Sequence, residues 1–215
     1  YFLIVLSEFQ KVESYLNAKG IKYIDIRLEI FDHIVSDIET EMLKENSDFE
    51  TVFYKVTDKW NIHLNHSYSW FFGIANSAPK IVIKKAKSYF NKWFLTINSI
   101  VIVLAFLESK IKFPVSEKSQ VYLTNSVIIV NVFCILIFIF LLRINSKKEE
   151  KTTYSFILET QKFGIILGGI ALVFSGLIEG ITTTYSFTLM FVAVTFIYIY
   201  FLKKHKEAIK KYKIS

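Results

Sequence analysis

Three groups of residues have types and spacings that could do chemistry. Glu29, His33 and Asp37 stand at i, i+4 and i+8, with Asp32 beside His33. On a helix, that spacing puts carboxylate, imidazole and carboxylate on one face. Such a face can bind a metal, titrate near neutral pH, or serve as a solvated surface that meets a partner. A zinc site would need further ligands from another segment. His63 and His66 form a second pair, at i and i+3, that can share a helix face, and isolated pairs of this kind usually only hydrogen-bond. The third group is polar residues in or beside apolar runs: Asn131 and Glu179, with Asn125 and Glu159. An ionisable group near a bilayer interior points to an ion or substrate contact. Glu179 stands at the end of its run, where an interfacial position would cost it little. Asn131, in mid-run, is placed to hydrogen-bond between helices.

No catalytic set completes itself around these residues. The chain has no Gly-x-Ser-x-Gly, no His-Glu-x-x-His and no Gly-rich phosphate loop. Its one cysteine, Cys134, rules out a disulfide framework and lies in an apolar run where a thiolate is disfavoured. The expectation is a protein that is not an enzyme, with no catalytic residue, no cofactor and no bound metal.

The elements that must position these residues follow from hydropathy. At 53% hydrophobic and 17% aromatic, the chain is too apolar for disorder. A bilayer core needs about 20 apolar residues of helix. Four stretches approach that length, at about 89–107, 121–142, 163–179 and 183–202; the first is the weakest, because Lys92 lies near its start. Lysine and arginine flank them unevenly. Lys80, Lys84, Lys85, Lys87 and Lys92 precede the first, Arg143, Lys147, Lys148, Lys151 and Lys162 lie between the second and third, and a lysine cluster from Lys203 follows the fourth. The other connections hold only Lys110, Lys112 and Lys118. By the positive-inside bias both termini are cytoplasmic. Gly164, Gly168, Ala171 and Ser175 fall on one face of the third stretch, a face suited to close helix packing within the chain or with another copy. The opening Tyr-Phe-Leu-Ile-Val-Leu is too short for a signal peptide and lacks a basic start; because Tyr1 is not Met, residues could precede it.

Residues 1–78 read as a helical head. Residues 1–75 hold seven basic and twelve acidic residues, whereas residues 76–215 hold 19 and seven, giving the net charge of +7. The basic half flanks apolar runs, so it needs no nucleic acid to explain it, and no nucleic-acid motif is present. Phe9, Val12 and Leu16 mark a first helix, with Gly20 fitting its C-terminal cap. Ile24, Leu28, Phe31, Val35, Ile38 and Met42 predict an apolar stripe on a second helix, beside an acidic face of Asp25, Glu29, Asp32 and Glu39. Ser47 and Glu50 predict a capping box for a third, with Phe49, Val52, Phe53, Val56 and Trp60 inward. Residues 61–76 have no clear period. Asn76, Ser77 and Pro79 signal a further helix start, from which one helix would run into the first apolar stretch.

The segment from Leu16 to Ile34, containing Glu29-Ile-Phe-Asp32-His33-Ile, followed by Ser47-Asp-Phe-Glu50, resembles the heads of a group of membrane proteins from Bacteroidetes-type bacteria. More distantly it is similar to HAAS-type signalling domains, which precede membrane helices in bacterial regulatory proteins. The likeness covers about residues 9–60 and is carried by Glu29, Asp32 and His33. It implies a regulatory or sensory role without a defined ligand.

The expected fold is therefore all-α: a cytoplasmic head over residues 1–78, a four-helix transmembrane bundle over 79–203 and a basic tail over 204–215, in a bacterial inner membrane. The expected function is signalling or protein interaction through Asp25, Glu29, Asp32, His33 and Asp37. The expected partners are the lipid bilayer, a cytoplasmic or membrane protein and a possible second copy. The alternative is a transporter or channel subunit working through Asn131 and Glu179. The basic tail could bind anionic lipid or draw the acidic head toward it.

Overall fold

The structure is a computed structural model, and it describes residues 5–110, 116–145, 150–178 and 184–213. Over these residues the chain is mostly helical, with seven α-helices and one small hairpin. The helices are α1 (Leu6–Ala18), α2 (Ile24–Glu45), α3 (Phe49–Leu64), α4 (Lys80–Lys110), α5 (Glu117–Asn145), α6 (Thr153–Ile178) and α7 (Thr184–Lys213). The hairpin pairs β1 (His66–Ser69) with β2 (Gly73–Pro79) across a 3-10 turn at Trp70–Phe72. The chain divides into two compact units. The first comprises Tyr1–Ser88, Glu149–Ile157 and Lys204–Ser215; the second comprises Tyr89–Lys148 and Leu158–Lys203. The units are not contiguous in sequence: one division falls after Ser88 and another after Lys203, and the first turn of α6 and the end of α7 belong with the N-terminal helices.

In the first unit, α1 ends as its sequence suggests. Gly20 takes φ +68°, the amide of Ile21 donates to Leu16 O at 3.0 Å, and that of Gly20 donates to Asn17 O at 2.9 Å. This left-handed cap turns the chain into α2. Ile38 of the expected α2 stripe is buried, but its buried companions are Ile26, Ile30 and Ile34 rather than the other expected residues; Leu28 is 41% exposed. Both stripes are apolar, and tertiary contact selects between them: Phe31 stacks on Phe9 of α1 at 6.0 Å while the isoleucines form the core. Asp48, not Ser47, caps α3, accepting from the Thr51 amide at 3.2 Å. Glu50 instead pairs with Lys11 of α1. Phe49, Val52 and Val56 are buried as expected, joined by Thr57 and Leu64. Lys55 bridges Glu41 and Glu45 of α2, and its hydrogen bond holds the Glu41 carboxyl below the usual range. Residues 66–79, which carry no helical period, form the hairpin. The core of this unit continues into Ala78, Val82 and Ala86, then Phe156, Ile157 and Ala208.

In the second unit the pattern is the reverse of a soluble core. Ile100, Ile102, Val103 and Phe106 of α4 are exposed, as are Ile129, Phe133, Leu136 and Phe140 of α5, Leu167 of α6 and Phe196 of α7. Inside, Phe138 meets Tyr198 edge-on at 4.6 Å, and Phe201 contacts Phe90 at 6.1 Å. Asn131 is wholly buried and donates from Nδ2 to Thr188 Oγ1 at 3.0 Å, joining α5 to α7. Two helical stretches are long and apolar enough to cross a bilayer, Glu117–Arg143 and Phe187–Tyr212.

The tight approach in α6 is at Gly169, not at Gly164 or Gly168. A Cβ on Gly169 would lie 2.5 Å from the Phe191 ring and 2.9 Å from Ile135 Cγ1, whereas at Gly164 and Gly168 it would meet nothing within 4 Å. Ala171 and Ser175 are helical, with side chains outside the described ones. Gly164→Ala and Gly168→Ala should therefore be neutral or slightly stabilising through helix propensity. Gly169→Ala should cost about 1–3 kcal/mol through overpacking, and Phe191→Leu should recover part of that loss. Thermal unfolding in detergent would compare the four.

Candidate functional site

A buried polar junction lies in the first unit, where three segments distant in the chain meet. Asp25 is in the first turn of α2 and is only 6% exposed. Its Oδ1 accepts from the backbone amide of Thr153, the first residue of α6, at 2.8 Å. Helix N-termini carry unsatisfied N–H groups and partial positive charge. One carboxylate thus serves the positive ends of two helices, α2 and α6. A buried carboxylate needs such donors, since burying it unpaired would be costly.

Backbone contacts fix the approach. The Ile24 amide donates to Lys151 O at 2.8 Å, and Tyr23 forms a parallel bridge with Lys151. Thr152 and Ser155 cap α6 reciprocally: Ser155 N donates to Thr152 Oγ1 at 3.1 Å and Thr152 N to Ser155 Oγ at 3.0 Å. Thr152 Oγ1 also lies 2.8 Å from Nδ1 of His205, which is 3% exposed on the last turns of α7. The hydroxyl has two lone pairs and one proton, so it can accept from a protonated Nδ1 or donate to a bare one. The adjacent Thr153 Oγ1 is buried with no hydrogen-bond partner. Phe156 seals the junction against Tyr23 at 6.2 Å and Phe72 at 5.3 Å. The Thr152 hydroxyl and the His205 imidazole stand within hydrogen-bond reach, and both are buried. The arrangement holds helix ends together.

The acidic face of α2 divides between neighbours. Asp25 is buried in the junction. Glu29 accepts from Lys85 Nζ of α4 at 2.6 Å. His33 stacks on Trp60 of α3 at 6.4 Å, and Trp60 Nε1 donates to Asp37 Oδ2 at 3.0 Å. Asp32 is exposed. Glu29, His33 and Asp37 thus bind other elements of the same unit rather than converge on one point. His63 meets Trp60 edge-on at 6.1 Å, while His66 pairs with Ser77 across the hairpin at 3.2 Å, so the two histidines serve different elements. Among the described residues no three His, Cys, Asp or Glu side chains gather as a metal site. Asn131 keeps an unpaired Oδ1 in the second unit. Glu179 lies outside the described residues.

The sequence pattern puts Asp25 on an acidic helix face and His205 in the basic tail, and gives no role to Thr152 or Ser155. The available signal was Thr152-Thr153-Tyr154-Ser155 ahead of an apolar run, a helix-start pattern. Its partner, 128 residues away, has no local signature. No family model, curated protein or solved structure matches the chain.

Two outcomes are expected. Asp25→Ala should destabilise the first unit by about 1.5–3 kcal/mol, the range for hydrogen bonds to charged groups. Asp25→Asn, which keeps an acceptor, should lose less; urea unfolding in detergent followed by tryptophan fluorescence would measure both. The second concerns Tyr15, whose hydroxyl meets Thr57 O and Asn61 Oδ1, each at 3.0 Å. Burial, aided by Asp58, pushes its pKa up from 10.0 to about 12. The folded state therefore favours the neutral phenol. That contribution is complete below pH 10 and is lost as pH rises toward 12. Melting temperatures across that interval should fall less steeply in Tyr15→Phe than in the parent chain.

Proposed function

We propose that the chain is a multi-pass α-helical membrane protein whose cytoplasmic head is a non-enzymatic signalling or protein-interaction module. The observation that carries this is where the apolar surface lies. Within Glu117–Arg143 and Phe187–Tyr212, only 22% and 39% of an apolar 18-residue run are buried. A helix buried in a soluble core would be mostly covered; these present Ile, Phe and Leu outward and need an apolar solvent. In this reading α4 and α6 cross as well, completing four spans. The charge-free run of α6 from Phe163 to Ile178 and the exposed apolar surface of α4 support that. By the positive-inside bias, the basic residues at the start of α4 and at the ends of α5 and α7 favour cytoplasmic termini, and the reading takes the membrane to be a bacterial inner membrane.

The head suits protein interaction because it offers an acidic outer surface including Asp32. Its junction with α6 and α7 supplies a path by which binding and helix position could be linked. A transporter or channel subunit is the second reading, favoured by the unpaired, buried Oδ1 of Asn131.

Alkaline carbonate extraction should leave the full chain in the membrane pellet, and reporters at either terminus should both register on the cytoplasmic side. Recovery of the chain as a monodisperse species in detergent-free buffer would overturn the membrane reading, and termini on opposite sides would overturn four spans. Solute flux in proteoliposomes that is lost in Asn131→Leu, with assembly intact, would favour the transporter over the signalling module.

A further inference from the structure

We infer that the hairpin of the first unit is a membrane-interface anchor, with Trp70 seated among the lipid headgroups of the cytoplasmic leaflet. The inference rests on the membrane reading above. The hairpin exposes three large side chains together: Trp70 at 87%, Ile74 at 69% and Tyr68 at 67%. Trp70 begins the 3-10 turn, and Tyr68 and Ile74 lie on the strands either side of it. The turn itself is held inward by its other two rings. Phe72 is buried against Phe156 at 5.3 Å, and Phe71 meets Phe72 edge-on at 5.1 Å. Phe71 also lies under Lys87 of α4, with Nζ 5.9 Å from the ring centroid. Asn76 Nδ2 donates to Phe72 O at 2.7 Å, and Gly73 at φ +85° closes the turn. The turn is therefore a fixed platform that leaves Trp70 outward.

Both contacts mark a particular depth in the chain. Lys87 is followed within six residues by Trp93, where the exposed apolar surface of α4 begins, and Phe156 stands seven residues before the charge-free run of α6 at Phe163. The hairpin turn is thus tied to the two helices about two turns before each becomes apolar. Tryptophan and tyrosine have an apolar body and a polar tip, which suits them to that zone. Lys84 and Lys87, both exposed on α4, add charge that anionic headgroups attract. A protein partner would explain the exposed rings, but not why the turn is fixed at that level of α4 and α6.

Depth-dependent quenching tests this in the full chain, reconstituted into vesicles of phosphatidylcholine and phosphatidylglycerol carrying brominated acyl chains. Two single-tryptophan variants are compared, Trp60→Phe/Trp93→Phe and Trp60→Phe/Trp70→Phe. Trp70 should emit blue-shifted light, lose intensity to lipids brominated near the headgroup, and resist aqueous iodide. Trp70 quenched by iodide and untouched by bromolipid would overturn the inference, as would protection from both quenchers, the result a protein partner would give. Trp93 reports the membrane reading separately: if bromolipid fails to quench Trp93 the spans themselves are refuted, whereas quenching of Trp93 alone refutes only the anchor. Should Trp60→Phe unfold the head, the difference between the parent chain and Trp70→Phe reads the same quenching with Trp60 in place.

Discussion

The hydrogen bond from the Thr153 amide to Asp25 is the contact on which the first unit depends. It joins residues 128 apart in the chain. Without it, the N-terminus of α6 would lose a charged acceptor, and a buried carboxylate would face unpaired desolvation. The remaining junction contacts follow from it. Once α6 starts at Thr153, Thr152 is its cap, and the same hydroxyl is available to His205. Thr152, Thr153 and Ser155 at the start of α6 are thereby buried within the helical head, together with His205 and Ala208 of α7. The attraction is mainly local and directional: a carboxylate on an amide, a hydroxyl on an imidazole, and aromatic packing around them. General attraction between an acidic head and a basic flank contributes one described cross-contact, Lys85 to Glu29, and an exposed pair of that kind is worth little on its own.

The second unit obeys a different solvent rule. Its interior is sparse in charge and closed by aromatic contacts and the Asn131–Thr188 hydrogen bond, while its exterior is apolar. In lipid there is little hydrophobic drive between helices, so packing depends on close approach and buried polar pairs. Gly169, against Phe191 and Ile135, supplies the close approach. The i, i+4 spacing of Gly164 and Gly168 is the more familiar pattern, yet it faces open space within this chain. A small-residue stripe shows where helices are able to meet, and bulky neighbours decide where they do.

What the sequence made legible is what depends on short-range pattern. Helical class, the cap at Gly20, the core positions of α3 and the apolar stretches all follow from periods and local chemistry within a few turns. The errors have one common cause. Ile26, Ile30, Ile34 and Ile38 compete with Leu28, Phe31 and Val35 as an apolar stripe, and only the packing of other elements chooses between them. Asp48 and Ser47 are both competent caps, and Lys11 decides by engaging Glu50. Asp25 looks like one more surface acid until the segment from Lys151 arrives. The hairpin escaped because alternating polar and aromatic residues in 66–79 are too short a run to set a period. In each case the deciding group is far along the chain, beyond the reach of a local window.

The same reasoning reassigns the most suggestive motif. A histidine flanked by carboxylates at helical spacing invites a metal or a proton switch, and either would require those groups to face a shared space. Instead Trp60 stacks on His33 and donates to Asp37, and Lys85 takes Glu29. Those groups hold α3 and α4 to α2. The residues that carry the resemblance thus divide in their contacts: Glu29 and His33 meet neighbouring elements of the unit, and Asp32 remains at its surface. Asp32 thus lies on a framework whose inner contacts reach α4, α6 and α7, and displacing any of those helix ends breaks directional contacts that fix the core of the unit.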